Sequence, residues 1–213
     1  MSEPSPPDET AYEYPYRFER TATAGEIRER FGALADGEEA GVEVRVAGRL
    51  RTVRTHGKVA FADLEDGGGR LQLFAQHAVL GDDGLRRFAG LNVGDIVGVE
   101  GEVLKTRRGE LSVKVADVTL LAKCTRPMPE KWRGMTDVEA RYRQRYLDLI
   151  VNPAGRRLLD ARARANAAIR SFMEERGFIE VETPLLHPVA GGAVARPFVT
   201  HHNALDIDLY LRI

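Results

Sequence analysis

The sequence predicts an α+β protein in which a small five-stranded antiparallel barrel precedes the opening part of a second, antiparallel-sheet domain. Three observations carry this reading. Between Val42 and Leu121 apolar residues recur with period two in five short runs, and one polar stretch of helical character separates the third run from the fourth. A long helical pattern then opens at Asn152 and Pro153, an N-cap residue followed by proline at the first helical position. Finally, alternation resumes after the helix and runs to Ile213. At roughly 100 to 200 residues per domain, a chain of 213 residues holds one or two domains. No uninterrupted apolar run approaches the ~20 residues of a bilayer span, so no membrane partner is expected.

Residues 1–16 are rich in Pro, Glu, Ser and Thr, too poor in apolar groups to offset the entropy of ordering, and are read as a disordered leader. Met1 to Pro15 has no Lys or Arg and no apolar core, which excludes a secretory or transit peptide. Cys124 is the only cysteine, so neither a disulfide framework nor a multi-cysteine zinc site is available, and a reducing, cytoplasmic compartment fits. Within an N-terminal helical segment, 17–40, Thr23 and Glu26 form a capping-box pattern with Ile27 and Phe31 at helical spacing, predicting a short helix that ends near Gly32.

From Gly41 the period changes to two. Val42, Val44 and Val46 form the first run; Val59 to Leu64 and Arg70 to Ala75 form a hairpin around Asp66-Gly67-Gly68-Gly69. A polar stretch from Asp82 to Leu91 follows, then Ile96 to Thr106 and Leu111 to Leu121, joined by Arg107-Arg108-Gly109. Five strands with a helix between the third and fourth is the order of an OB-fold, over residues 41–122, although strand propensity by itself also allows other small barrels.

Residues 123–152 read as a linker. Pro127 and Pro129 mark it, and Thr136 with Glu139 caps an Arg-rich helix from Ala140 to Leu149. The next helix runs from Pro153 for roughly six turns towards Gly177, with Leu158, Ala165, Ile169 and Phe172 on one face. Such a seam packs on a core or on a partner subunit. Phe178 to Thr183 alternates as a strand up to Pro184, and Leu205, Ile207, Leu209, Leu211 and Ile213 alternate again without a closing turn or cap. An open apolar edge of this kind is avoided in nature, so 153–213 is expected to be the front part of a longer polypeptide's domain.

The net charge of -1 conceals an uneven distribution: 4 basic and 10 acidic residues in 1–40, 13 basic and 7 acidic in 123–176. It therefore excludes no nucleic-acid partner. Strand parity sharpens the point. If Ala60, Ala62 and Leu64 face inward with Leu71, Leu73 and Ala75, then Phe61 and Gln72 point outward together, offering a flat face for a base and an amide for its edge. On the last hairpin Leu111, Val113 and Val115 go inside and Glu110 outside. The competing reading makes Phe61 a core residue in a shifted register and Glu110 a solvated carboxylate. Arg141, Arg143 and Arg145 contact phosphate or simply solvate a helix face. His201 and His202, adjacent on a strand, point to opposite faces and are poorly placed to share a metal, so no metal site is predicted. Gly191-Gly192-Ala193 lacks a phosphate-loop pattern; it is a plain turn or a place where backbone approaches a small ligand.

Several segments together resemble one known family: Val59 to Asp66, Arg70 to Leu73, Gly109 to Ser112, Arg141-Tyr-Arg-Gln-Arg-Tyr-Leu-Asp-Leu149, Gly177 to Pro184, Gly191 to Phe198 and Thr200-His-His-Asn-Ala-Leu-Asp206. The sequence is similar to class II lysyl-tRNA synthetases from about Tyr16 onward. The resemblance implies that the OB-fold binds the anticodon of lysine tRNA, with Phe61, Gln72 and Glu110 stacking on and hydrogen-bonding its uridine-rich bases. It implies that 153–213 begins a class II antiparallel-sheet catalytic domain, with Leu158, Ala165, Ile169, Phe172 and Pro184 at a homodimer interface and Gly191, Gly192 and Ala193 in a loop of the lysine pocket. The complete enzyme would use lysine, ATP and Mg2+ to form lysyl-adenylate and then charge the tRNA. The family's catalytic residues are expected beyond Ile213, leaving none in this chain, and Met1 to Pro15 is acidic where the family carries a basic helix. The alternative is a free-standing OB-fold module that binds tRNA or single strands without catalysis.

Overall fold

The computed structural model describes residues 13–129, 135–192 and 194–212, which fall into two compact units divided near residue 130. The first 12 residues of the predicted leader, Ala193 and Ile213 lie outside the described residues.

The first unit opens with helix α1 (Ala24–Phe31), and Thr23 and Glu26 make the reciprocal capping box that the sequence predicts. Five strands follow: β1 (Glu39–His56), β2 (Val59–Asp66), β3 (Gly69–Gln76), β4 (Ile96–Lys105) and β5 (Leu111–Ala122). They close in the order β1-β2-β3-β5-β4, every pair antiparallel except β3 with β5. One long strand makes closure possible. The first half of β1 pairs with β4 and the second half with β2, and a bulge between Leu50 and Thr52 bends it from one neighbour towards the other.

Inside, the alternation is as predicted. Val44, Val46, Leu50, Ala60, Ala62, Leu64, Leu71, Leu73, Ala75, Val97, Val99, Val103, Val113 and Val115 are buried. Helix α2 (His77–Ala89) adds Phe88 to this core, and α1 adds Ala24 and Ile27. A first turn, His77 to Leu80, is broken off at Gly81, whose φ of 66 favours glycine, so the continuous helix begins at Asp82, where the polar stretch implies. A buried carboxylate, Asp95, ties the end of the barrel together by accepting from Lys123 Nζ, the Cys124 amide and the Asn92 amide.

The second unit contains α3 (Val138–Arg143), α4 (Arg145–Val151), α5 (Pro153–Glu174), the short β6 (Leu186–His187), and β7 (Val199–His202) paired with β8 (Ile207–Leu211). Three expectations need correction here. The single helix over Ala140 to Leu149 is two helices broken at Gln144, and Asp137, not Thr136, accepts from the Glu139 amide as N-cap. Phe178 to Thr183 forms no strand: alternation makes a strand only where a neighbouring backbone completes the ladder, and among the described residues none pairs with it. Leu205 sits in the turn before β8, not within the strand. By contrast α5 begins where Asn152 and Pro153 predict, with the Asn152 side chain accepting from the Ala154 and Gly155 amides.

Barrel closure is tightest at Gly101, where β4 crosses the irregularity of β5. A Cβ there would stand 2.0 Å from the Lys114 carbonyl oxygen and 2.9 Å from Val113 Cγ1. Backbone held by ladders on both sides cannot retreat, so Gly101→Ala is expected to destabilise the barrel by more than about 2 kcal/mol. Urea denaturation followed by circular dichroism measures this; a loss under about 0.5 kcal/mol contradicts the assignment of this close approach.

Candidate nucleic-acid interface

Because the pleat sends alternate side chains outward, β1, β2, β3 and β5 share an outer face built in two rows. In one row Arg54 pairs with Phe61, Phe61 with Phe74, and Phe74 with Lys114. In the next, Thr52 pairs with Asp63, Asp63 with Gln72, and Gln72 with Ser112. Phe61 is thus not in the core. Its ring lies parallel to that of Phe74, 5.0 Å between centroids with 11° between planes, so the two form a rigid apolar plate on the outside of the barrel.

The polar groups beside this plate are also held. Thr52 Oγ1 donates to Asp63 Oδ2 at 2.6 Å, and the Arg54 guanidinium stands 3.4 Å from the other carboxylate oxygen. Ser112 Oγ lies 3.0 Å from Gln72 Oε1 and 3.1 Å from the Glu110 carbonyl oxygen, which joins the amide of β3 to the loop that carries Glu110. That loop is closed by Thr106 N–H to the Glu110 carbonyl and Gly109 N–H to the Thr106 carbonyl, leaving the Glu110 side chain exposed. Gly109, with φ 83, makes the turn and passes close to Asp36. At the far end of the first row Lys114 is clamped between Glu102 and Glu39, at 2.8 and 2.9 Å. The Glu102 contact raises the lysine above its ordinary range, and the lysine holds Glu102 below the usual carboxylate range.

Of the three residues predicted from parity, Phe61 and Gln72 thus share one outer face, and Ser112 ties the backbone of Glu110, whose side chain is exposed, to Gln72. Phe74, Arg54 and Ser112 were not anticipated. Phe74 shares the parity of Gln72, which is enough to find it; Arg54 comes opposite Phe61 only through the bulge in β1, which no pattern of apolar residues announces.

In the second unit the predicted seam of α5 is present and uncovered: Leu158, Ala165, Ile169 and Phe172 are all exposed. Next to it Ile169, Arg170, Met173, Phe178, Ile179 and Glu180 line a groove of about 250 Å³, and Arg170 pairs with Glu180 across it. Pro184 is exposed beyond the groove. The root of α5 is anchored by Asp148, a wholly buried carboxylate that accepts from Arg141 Nε at 2.8 Å, from Arg145 and from the Asn152 amide group. Gly191 and Gly192 lie in an exposed loop, with Gly192 at φ 110 and open space around Gly191. Ala193, the third residue of that predicted loop, is outside the described residues. His201 contacts Asp206 and Asp208 instead of sharing a ligand with His202. Among the described residues no group of three or more His, Cys, Asp or Glu is arranged to hold a metal ion, and no helix is long and apolar enough to cross a membrane.

Comparison with known proteins matches each unit to a family. Residues 44–121 fit the OB-fold nucleic acid binding domain, and residues 137–213 fit the class II tRNA synthetases of the D, K and N group. Over 196 residues the chain is 58% identical to a lysine–tRNA ligase of Moorella thermoacetica, covering 92% of this chain and 39% of that protein. It is 52% identical over 200 residues to the lysine–tRNA ligase of Carboxydothermus hydrogenoformans (94% and 40%), and 48% identical over 197 residues to that of a Thermoanaerobacter species (92% and 38%). The chain spans about two fifths of the length of these relatives.

Asp148 generates a prediction of its own. The hydrogen bond from Arg141, then those of Asn152 and the charge of Arg145, holds its carboxyl below the ordinary 3.8. A carboxylate with a depressed folded-state pKa stabilises the fold above its unfolded value and ceases to do so as pH falls through the folded one. The helical unit is therefore expected to lose stability below about pH 4. In Asp148→Asn thermal melting followed by circular dichroism should show a lower midpoint at neutral pH and a flatter response below pH 4; an unchanged midpoint would falsify the anchoring role.

Proposed function

Because this chain belongs to the class II lysine–tRNA ligase family, we propose that its barrel reads the anticodon of lysine tRNA for an enzyme that attaches lysine to that tRNA. The observation that carries this is the outward Phe61, stacked on Phe74 and flanked by Gln72 and the Glu110 loop, within a domain matched to nucleic-acid-binding OB-folds. A base laid on Phe61 meets a ring already backed by a second ring, so stacking needs no further ordering. Gln72 offers donor and acceptor, Glu110 an acceptor, to the uridine edges, and Arg54 stands beside the plate as a cation for the strand.

The complete enzyme, on this reading, activates lysine with ATP and Mg2+ to lysyl-adenylate and transfers it to the tRNA. Among the described residues none are placed to hold the metal, so no step of that chemistry is assigned to this chain. Gly191 and Gly192 contribute backbone to the lysine pocket. The exposed seam of α5, with Pro184, forms the homodimer interface, and the free Cys124 thiol suits a cytoplasmic protein.

Two measurements test the reading. Phe61→Ala is expected to weaken binding of a lysine-anticodon stem-loop roughly five- to a hundredfold while leaving the weak binding of a stem-loop with an unrelated anticodon unchanged; equal losses for both would favour a general single-strand binder. Phe172→Asp, on the α5 seam, is expected to shift the protein from dimer to monomer in analytical ultracentrifugation at micromolar concentration, and a wild-type chain that sediments as a monomer contradicts the interface.

A further inference from the structure

Ser112 occupies a position that strand parity assigns to the outside of the barrel, next to Val113, yet it is wholly buried. Its hydroxyl has one proton and two oxygen neighbours, Gln72 Oε1 at 3.0 Å and the Glu110 carbonyl at 3.1 Å. One proton serves one acceptor at a time. The carbonyl cannot donate, but it has two lone pairs, of which the Thr106 amide takes one at 2.9 Å. The Gln72 amide, by contrast, exchanges its oxygen for an NH2 by turning about its last bond, and the hydrogen-bond network decides which end faces inward. With Nε2 inward the three groups form an unbroken chain, Gln72 N–H to Ser112 Oγ and Ser112 O–H to the Glu110 carbonyl. Every contact is then a bond. With Oε1 inward, one of the two short oxygen contacts has no proton.

We infer that Ser112 is a positioning residue for base selection: its hydroxyl turns the Gln72 amide so that Oε1 and the second N–H face outward. This rests on the anticodon-reading role proposed above. An outward acceptor beside a donor matches the N3–H and neighbouring carbonyl of uracil. The reverse orientation presents donors alone, which suit the bare N3 of cytosine. Ser112 never touches the base; it acts through Gln72. Nearby Asp63 does not compete for this task, since its carboxylate is engaged by Thr52 and Arg54. The arrangement also couples Gln72 to Glu110, because the same hydroxyl grips the backbone of the residue that carries the second acceptor.

The test uses the full chain and lysine-anticodon stem-loops in which each anticodon uridine is replaced in turn by cytidine, with affinities from fluorescence anisotropy. In the wild type, uridine is expected to be preferred at one position or more. Ser112→Ala should lower that preference roughly three- to tenfold, the worth of one hydrogen bond, with a smaller change in affinity for the uridine loop. Gln72→Ala should lower it similarly, and adding Ser112→Ala to Gln72→Ala should change it no further. Ser112→Thr, which keeps the hydroxyl, should restore it. If Ser112→Ala fails to fold, Ser112→Cys, of similar size and a weak hydrogen-bonding group, reads the same ratio. A preference that survives loss of the hydroxyl, or a uniform loss for both loops, overturns the inference. A wild type that does not distinguish lysine loops from unrelated ones overturns instead the anticodon reading beneath it.

Discussion

Closure of five strands on a narrow interior is the constraint from which the rest of the barrel follows. The inner wall at the first hairpin is made of Ala60, Ala62 and Ala75 with Leu64, Leu71 and Leu73, all fully or almost fully buried. The small residues gather at one end, Ala60 opposite Ala75, and the large ones at the turn end, Leu64 opposite Leu71, with Ala62 facing Leu73 between them. A register slip of one residue would bring Phe61, Asp63, Gln72 and Phe74 into that space and put the alanines in water. Two aromatic rings and a carboxylate do not fit where three methyl groups did. The same sterics that build the core therefore force the aromatic plate outward, and the interface exists as a consequence of packing.

Closure also fixes the edges of that face. The bulge at Arg51 lets β1 serve two neighbours, and beyond it Thr52 and Arg54 come into line with Asp63 and Phe61. On the opposite edge the β4–β5 loop is braced from outside the barrel: Gly37 N–H bonds the Lys105 carbonyl, Lys105 N–H the Glu38 carbonyl, and Lys105 Nζ reaches the Leu34 carbonyl. The segment before the first strand thus does more than lead into it. Its helix is capped by Thr23 and Glu26, docked by the Ala24 amide on Asp66, and seated on the core through Ile27, so that both the β2–β3 turn and the Glu110 loop rest against one rigid element. A loop braced in this way presents its carboxylate without a large ordering cost on binding.

How much of this was legible depended on whether a residue's position follows from local periodicity or from a partner distant in sequence. The five strands, the capped α1 and the start of α5 follow from short-range patterns, and the outward placement of Phe61 and Gln72 follows from counting by two. Arg54 escaped because one extra residue in β1 reverses the parity of everything after it, and an insertion of that kind has no apolar signature. Ser112 escaped because a serine of outward parity reads as solvated, and its burial depends on the parallel pairing of β3 with β5. In the second unit the alternation of Phe178 to Thr183 describes what the segment can pair with, while pairing itself needs a second strand. The break at Gln144 reflects competition: Asp148 draws Arg141 and Arg145 onto one carboxylate, and the chain kinks between the two arginines where an uninterrupted helix was expected.

The same pairing changes the meaning of the charge distribution. Part of the basic excess in residues 123–176 is engaged by carboxylates: Arg141 and Arg145 by Asp148, Arg143 by Glu139 and Arg170 by Glu180. In the barrel Lys114 is held by Glu39 and Glu102, and Arg70 by Glu65. Cations already paired release few counterions when a polyanion arrives, so they add little sequence-independent affinity. What remains on the outer face is a stacked ring, the Gln72 amide and, in the adjoining loop, the exposed carboxylate of Glu110. Carboxylates repel a phosphate backbone and reward only a correctly placed base donor, so they lower affinity for every wrong strand. On the reading proposed above, a ring and edge-reading polar groups favour discrimination between bases over sequence-independent affinity.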